Sequence, residues 1–307
     1  MPGCGAYPPA LREPVRHAPA PFLGSTELRA LIPERISRWQ TERLAAGAGR
    51  VAVRQALTLL GAIPQRAYES ERIRSNPARL VRKAPLPRTE EIRPLSPATI
   101  EKMRDYLLAD GSEHPQRDAT LISVLAYAGL RPGEALALRW GDVRDNTLLV
   151  QRALSLGDES DTKTRAHRTV RLLTPLAQDL REWRMAAGRP GDRALIFASD
   201  AGGPWSTTAY QSWRRRVFRR AVTAADLEHA RPYDLRHSFA SLLLHEGRHV
   251  VYVARQLGHD ARLTLTRYGH VMDELAGAGH IDPESEIRAA REAPVPTEYP
   301  QPAVVVG

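Results

Sequence analysis

Between Arg231 and His270 the chain reads RPYDLRHSFASLLLHEGRHVVYVARQLGHDARLTLTRYGH, a stretch that concentrates side chains able to handle a phosphodiester. Arg236 and His237 are adjacent, His259 follows Leu-Gly, and Tyr268 stands nine residues after His259. The pattern reads as two helices and a turn at Leu-Gly-His. Far upstream, Arg131 precedes Pro132 and the helix PGEALAL, and a helix start suits anions because free N–H groups and the helix dipole point there. Cutting a phosphodiester without a metal needs a nucleophile, guanidinium donors for the nonbridging oxygens and the pentacoordinate transition state, and an acid for the leaving oxygen. Arg131 and Arg236 can hold two oxygens bidentately, His259 can add a hydrogen bond, Lys163 can protonate the leaving alkoxide and the Tyr268 phenol can attack. A phenol suits a reversible step, because the aryl phosphoester it forms keeps the bond energy for a second transfer.

Taken singly, each residue has a plainer reading. Arg131 can be a capping residue, His259 a turn residue, Tyr268 an amphipathic packing residue and Lys163 a solvent-facing strand residue. The set carries the chemistry. A metal-dependent hydrolase built on His237, His245, His249 and His259 is a competing reading. His245 and His249 are four apart, a helical metal-ligand spacing, but Gly247 between them should end that helix and no acidic residue completes the H-E-x-x-H pattern.

The elements that must position this set alternate short helices with one small sheet. Residues 1–24 carry six prolines and read as a disordered leader. Leu28, Leu31, Ile32, Ile36, Trp39 and Leu44 suit one or two short helices ending at Gly47 and Gly49. Arg50–Tyr68 repeats the pattern, with Pro64 expected to bend or restart the helix. A proline- and charge-rich linker is placed at 85–95. A second domain, 96–293, opens with Ser96 as N-cap and Pro97 at the first helical position. Leu121, Ile122, Leu125 and Ala128 share one helix face that ends at Gly129. From Asp142 to Arg171 the period changes to two, which predicts three strands with GDES and RAHR as turns and Lys163 on the middle strand. A helix from Thr174 to about Ala187, the apolar strand LIF, and a helix capped by Ser206 through QSWRRRVFRRAV follow; its five arginines suit contacts to a nucleic-acid backbone. A last helix near 284–293 precedes a disordered tail, 294–307. The fold class expected is mainly α with a small antiparallel β-sheet.

At 307 residues and 42% hydrophobic content the chain can build two cores. The formal net charge is +9, and nearly all of the 44 basic residues are arginines, which favours a polyanionic partner. A single cysteine, Cys4, excludes an intramolecular disulfide and a cysteine-built zinc site, and fits a reducing compartment. No apolar run reaches the roughly 20 residues that span a bilayer, and the start lacks a signal-peptide hydrophobic region. A cytoplasmic location is expected.

Four segments together resemble the signature boxes of the tyrosine recombinase (phage integrase) family: GLRPGEALALRW with Arg131, TKTRAHRTVRL with Lys163, DLRHSFAS with Arg236 and His237, and QLGH followed by TRYGH with His259 and Tyr268. They stand in the family's order, over roughly Leu95 to Met272, with a looser likeness from Leu28 to Leu80. The resemblance implies a truncated helical core-binding domain over 25–84 and an α+β catalytic domain, in a bacterial or phage protein that exchanges strands of double-stranded DNA. It implies Tyr268 as nucleophile, Arg131 and Arg236 as phosphate clamp, Lys163 as general acid, His259 as phosphate donor and Glu134 as support for Arg131. No metal, ATP or other cofactor is implied, and a homotetramer on paired DNA sites is, with residues 275–293 passed between protomers. The position three before Arg236, usually histidine in the family, is Tyr233, left as a phosphate contact or assisting residue. His237 is not expected to take over, since the next residue along a helix points about 100° away. Two alternatives are a DNA-binding relic of the same fold with weak or no catalysis and a type IB topoisomerase-like enzyme that shares this set of catalytic residue types.

Overall fold

The computed structural model describes residues 26–86, 94–109, 113–155, 158–161, 167–275 and 282–292, with the backbone alone at 155, 158–161 and 270–275. The expected leader (1–24), the expected tail (294–307) and Lys163 lie outside the described residues. The chain divides into two compact units with the boundary after Glu91.

The first unit pairs α1 (Pro33–Ala45) with α2 (Arg50–Glu69) around Ile36, Trp39, Val53, Ala56, Leu57 and Leu60. Pro33 occupies the first turn of α1, where its missing N–H costs nothing. Of the two outcomes expected at Pro64, the restart does not occur, and α2 runs through it. Pro64 has no N–H for the Leu60 carbonyl one turn earlier; Asn76 donates Nδ2 to the neighbouring Gly61 carbonyl at 3.0 Å and so ties the following segment to α2. Gln40 ties the returning segment to α1, donating to the Arg82 carbonyl and accepting from the Ala84 N–H, each at 3.0 Å.

The second unit is built on two helices that are buried over most of their circumference, α4 (Pro115–Tyr127) and α9 (Pro232–His245). Helices apolar on nearly all faces can only lie inside, and α3 (Pro97–Ala109), the short α5 (Pro132–Leu136) and α6 (Thr174–Ala186) pack around α4. Ser96 caps α3 by accepting from the Thr99 N–H at 3.1 Å. The arginine-rich helix runs as α7 (Thr207–Trp213), a π turn at Arg214–Phe218 and α8 (Arg219–Ala224), and Ser206 caps it as expected. The stretch Arg231–His270 holds three helices rather than two: α9, then α10 (Val250–Leu257), then α11 (Ala261–Leu275). Gly247, at φ +81°, makes the additional break. The last helix, α12 (Pro283–Glu292), inserts Arg291 beside Asp179, at 2.8 Å, in a buried cluster with Glu101 and Arg104.

The sheet differs from the expected three strands. β1 (Thr147–Val150) pairs antiparallel with β4 (Arg168–Arg171), Leu148 opposite Val170, while β2 (Arg152–Ser155) and β3 (Asp158–Asp161) form a separate hairpin. The strand leaves the first ladder at Gln151 and Arg152 because both side chains are drawn to Asp142. The expected GDES turn is mostly strand, since Ser155 pairs with Asp158. LIF is not a strand but a single bridge, Leu195 to Arg139. Among the described residues no helix is long and apolar enough to cross a membrane.

Gly129 ends α4 at φ +60°, and a Cβ there would lie 2.4 Å from Phe239 Cδ1 and 3.1 Å from Leu257 Cδ2. A left-handed backbone and an overpacked contact each cost about 1–3 kcal/mol. Gly129→Ala is therefore expected to lower unfolding free energy by roughly 2–5 kcal/mol in urea titration; an unchanged midpoint would show that α9 and α10 yield freely at this contact.

Candidate active site

Three arginines from distant parts of the second unit meet one carboxylate. Glu134, in the first turn of α5, accepts the Arg131 backbone N–H at 2.9 Å and the Arg131 guanidinium at 2.7 Å. Arg168 on β4 grips the same carboxylate through two nitrogens, at 2.9 and 2.6 Å. Arg236 on α9 stands 3.9 Å from it. Glu134 and Arg236 are 3% and 1% exposed, whereas the Arg131 side chain is 40% exposed. Three positive groups around one negative group leave two positive charges uncompensated by this carboxylate, with Arg131 facing solvent. Buried charges of that kind favour an anion at the open side.

Arg236 is oriented by backbone carbonyls. One nitrogen donates to Gly129 at 2.5 Å, at the end of α4, and another to Leu257, at the end of α10. A guanidinium has five N–H donors, so three remain. Burial, then the neighbouring Arg131, lowers its pKa to about 10, which leaves it charged at neutral pH.

The turn after α10 brings in His259. Gly258 closes the helix in the left-handed conformation, φ +66°, and its carbonyl accepts from Arg131 at 3.1 Å. A Cβ at Gly258 would lie 2.9–3.0 Å from the Arg168 side chain, so the turn packs directly on the arginine that holds Glu134. Arg168 Nε also donates to the Gln256 carbonyl at 3.0 Å. His259 is half-buried, its Nδ1 3.2 Å from both the Asp260 carbonyl and Thr264 Oγ1. Burial lowers its pKa, and the Arg236, Arg131 and Arg267 charges add to that effect.

Tyr268 on α11 is 1% exposed, and its phenol lies 2.5 Å from His237 Nδ1. Burial pushes the phenol above its ordinary range, against the pull of the Arg236 charge. Burial also holds His237 at about 4, so the imidazole is neutral. Contrary to the 100° expectation, His237 is thus the residue against the phenol, because α11 crosses α9 on the face adjacent to Arg236. Tyr233, 37% exposed, touches His237 edge-on, with centroids 5.4 Å apart.

The structure brings together Arg131, Glu134, Arg236 and His259, with Tyr268 reached through His237. Arg168 is not among the residues that the sequence boxes single out. Its signal was available, since residues two apart on a strand share a face and Val170 is buried. Of the four histidines of the metal reading, His237 engages Tyr268 and His259 engages Thr264, while His245 and His249 lie on either side of the Gly247 turn. Among the described residues, the grouping that could hold a metal is Glu113, His114 and Asp200, where Arg117 already sits 2.7 Å from Asp200.

Burial alone would raise the Glu134 carboxyl, but the Arg168 hydrogen bonds and charge, followed by those of Arg131, bring it from 4.5 down to about 2. As pH falls, the unfolded chain takes up this proton first. The contribution, roughly 3 kcal/mol, is complete above about pH 4.5 and is lost as pH falls towards about 2. Glu134→Gln should remove that dependence, so urea titrations from pH 5 to pH 2 are expected to give a shallower acid limb; equal slopes would place the acid sensitivity elsewhere.

The sequence model of the phage integrase family matches residues 94–274. The chain is 25% identical to the Escherichia coli protein IntQ, named as defective, over 74% of this chain and 62% of that one. It is 34% identical to the tyrosine recombinase XerC of Xanthomonas axonopodis pv. citri, over 50% of this chain and 47% of that one. It therefore spans between 47% and 62% of the length of these two relatives. The Tn1549 transposon integrase, solved in complex with a circular intermediate DNA, has the same fold, with TM-score 0.69 and 20% identity over 84% of this chain and 87% of that one. With more than half of its length matched, its four boxes in order and this fold, the chain belongs to the phage integrase family of tyrosine recombinases.

Proposed function

We propose that the chain is a site-specific DNA recombinase that cuts and rejoins double-stranded DNA through Tyr268. The observation that carries this reading is the cluster of Arg131, Arg168 and Arg236 around the single carboxylate of Glu134, with a buried phenol one side chain away. Arg131 and Arg236 hold the nonbridging oxygens of the scissile phosphate, and His259 adds a hydrogen bond. Tyr268 Oη attacks phosphorus, the P–O5′ bond breaks, and a 3′-phosphotyrosyl link forms. Lys163 protonates the leaving 5′ oxygen. A 5′-hydroxyl of the partner strand then attacks the link and releases Tyr268, and two such rounds pass through a Holliday junction. Fixed guanidinium charges stabilise the transition state and the phosphoester conserves bond energy, so the cycle asks for neither a metal nor ATP.

The helical unit over 25–84 is the DNA-gripping core-binding domain in this reading, residues 96–293 form the catalytic domain, and a homotetramer on two DNA sites performs the exchange. The Tn1549 integrase bound to DNA supports the partner, as do the arginines of α7 to α8 and the net charge of +9. A weak catalyst or DNA-binding relic is the second reading. It rests on Tyr233, since a phenol is a poorer base than the imidazole expected at that position.

Nicked suicide duplexes, captured covalently from a randomised pool, separate these readings. The wild-type protein is expected to give a denaturant-resistant adduct and Tyr268→Phe none, with DNA binding nearly intact. An adduct formed by Tyr268→Phe would remove Tyr268 as nucleophile, and binding without an adduct by the wild type would favour the relic. Arg236→Lys keeps the charge but loses the fork, so adduct formation should fall about 100-fold while binding changes little; equal losses in both would make Arg236 a binding contact only.

A further inference from the structure

The hydrogen bond of Tyr268 goes to His237 and not to Tyr233, the residue standing where the family's histidine is expected. Nδ1 and Oη are 2.5 Å apart, the rings lie 5.6 Å apart and inclined at 56°, and both side chains are buried. The imidazole also meets Tyr233 edge-on, at 74°. It therefore touches both a buried phenol and a half-exposed one.

We infer that His237 is the base that accepts the Tyr268 proton during attack, while Tyr233 packs that imidazole into place. This rests on the recombinase reading of the site. As the Oη–P bond forms and the P–O5′ bond breaks, the phenolic proton passes to Nδ1, and the 5′ oxygen takes its proton from a separate acid, the role proposed for Lys163. In the rejoining step the P–Oη bond breaks, the His237 proton returns to the phenolate, and the incoming 5′-hydroxyl gives its proton to the base form of that acid. Each group ends the cycle in its starting state.

The neutral imidazole that the step requires is the resting one. Burial holds His237 low, as do the charges of Arg267 on α11, of Arg236 on α9 and of Arg231 just before it, against the pull of Asp234. Transfer ahead of attack is strongly uphill, because burial raises the phenol. Bond formation to phosphorus removes that obstacle, since it makes the phenolic proton acid. Phosphates bound among the arginines also offset their charge and raise the imidazole.

The test measures single-turnover adduct formation on the captured suicide duplexes. His237→Asn presents an amide near the Nδ1 position with no useful basicity, and His237→Gln is a second variant should the first fail to fold. Adduct formation is expected to fall about 100-fold with DNA Kd little changed, and to fall equally on a duplex with a 5′-bridging phosphorothiolate, whose leaving sulfur needs no acid. A folded variant as fast as wild type, or faster, overturns the inference by making the contact a spectator or a restraining latch. A loss that disappears on the phosphorothiolate overturns it too, by moving His237 to the leaving-group side. A wild-type protein that forms no adduct instead defeats the recombinase reading itself.

Discussion

The buried Glu134 carboxylate has to hold guanidinium groups from a helix start, a strand and a central helix, with Arg131 alone among them well exposed to solvent. Burying one carboxylate and several guanidiniums is costly unless each is hydrogen-bonded. Here every partner is. Arg168 is bidentate on Glu134, Arg131 reaches both Glu134 and the Gly258 carbonyl, and Arg236 is fixed by the carbonyls of Gly129 and Leu257. The low pKa of Glu134 is the thermodynamic expression of that arrangement. Because arginines outnumber the carboxylate, the cluster satisfies its own members and still presents positive charge where Arg131 meets solvent.

Two left-handed glycines make this geometry reachable. Gly129 lets α4 stop where its carbonyl can meet Arg236 and leaves room for Phe239 and Leu257. Gly258 lets α10 stop over the Arg168 side chain, which sets His259 beside the arginines. Both are chain reversals at which a Cβ would collide with groups that hold the site. Local backbone conformation and site electrostatics are thus set by the same residues.

Much of this was legible in advance. Proline at the first turn and serine at the N-cap placed the starts of α3, α5, α6 and α7 to within a residue or two, because those preferences are local. The strand region was read less well. The change to a period of two marked a strand region, yet it could not say that Asp142 would draw Gln151 and Arg152 away and split one sheet into two ladders. At Pro64 a bend or a restart was expected, and the helix does not restart there.

What the sequence by itself determined is the inventory of chemistry. An arginine at a helix start, an Arg-His pair, Leu-Gly-His and a tyrosine nine residues later specify residue types and order, and these suffice for the family. Only the tertiary structure decided the partners. His237 points about 100° from Arg236 on its own helix and still meets the phenol, because a side chain's neighbour depends on where the next helix crosses. Arg168 looked like a turn residue and became the grip on Glu134 because its strand face is turned to α5. Sequence periodicity records which face is buried. It does not record against what, and in this site that is where the division of roles lies.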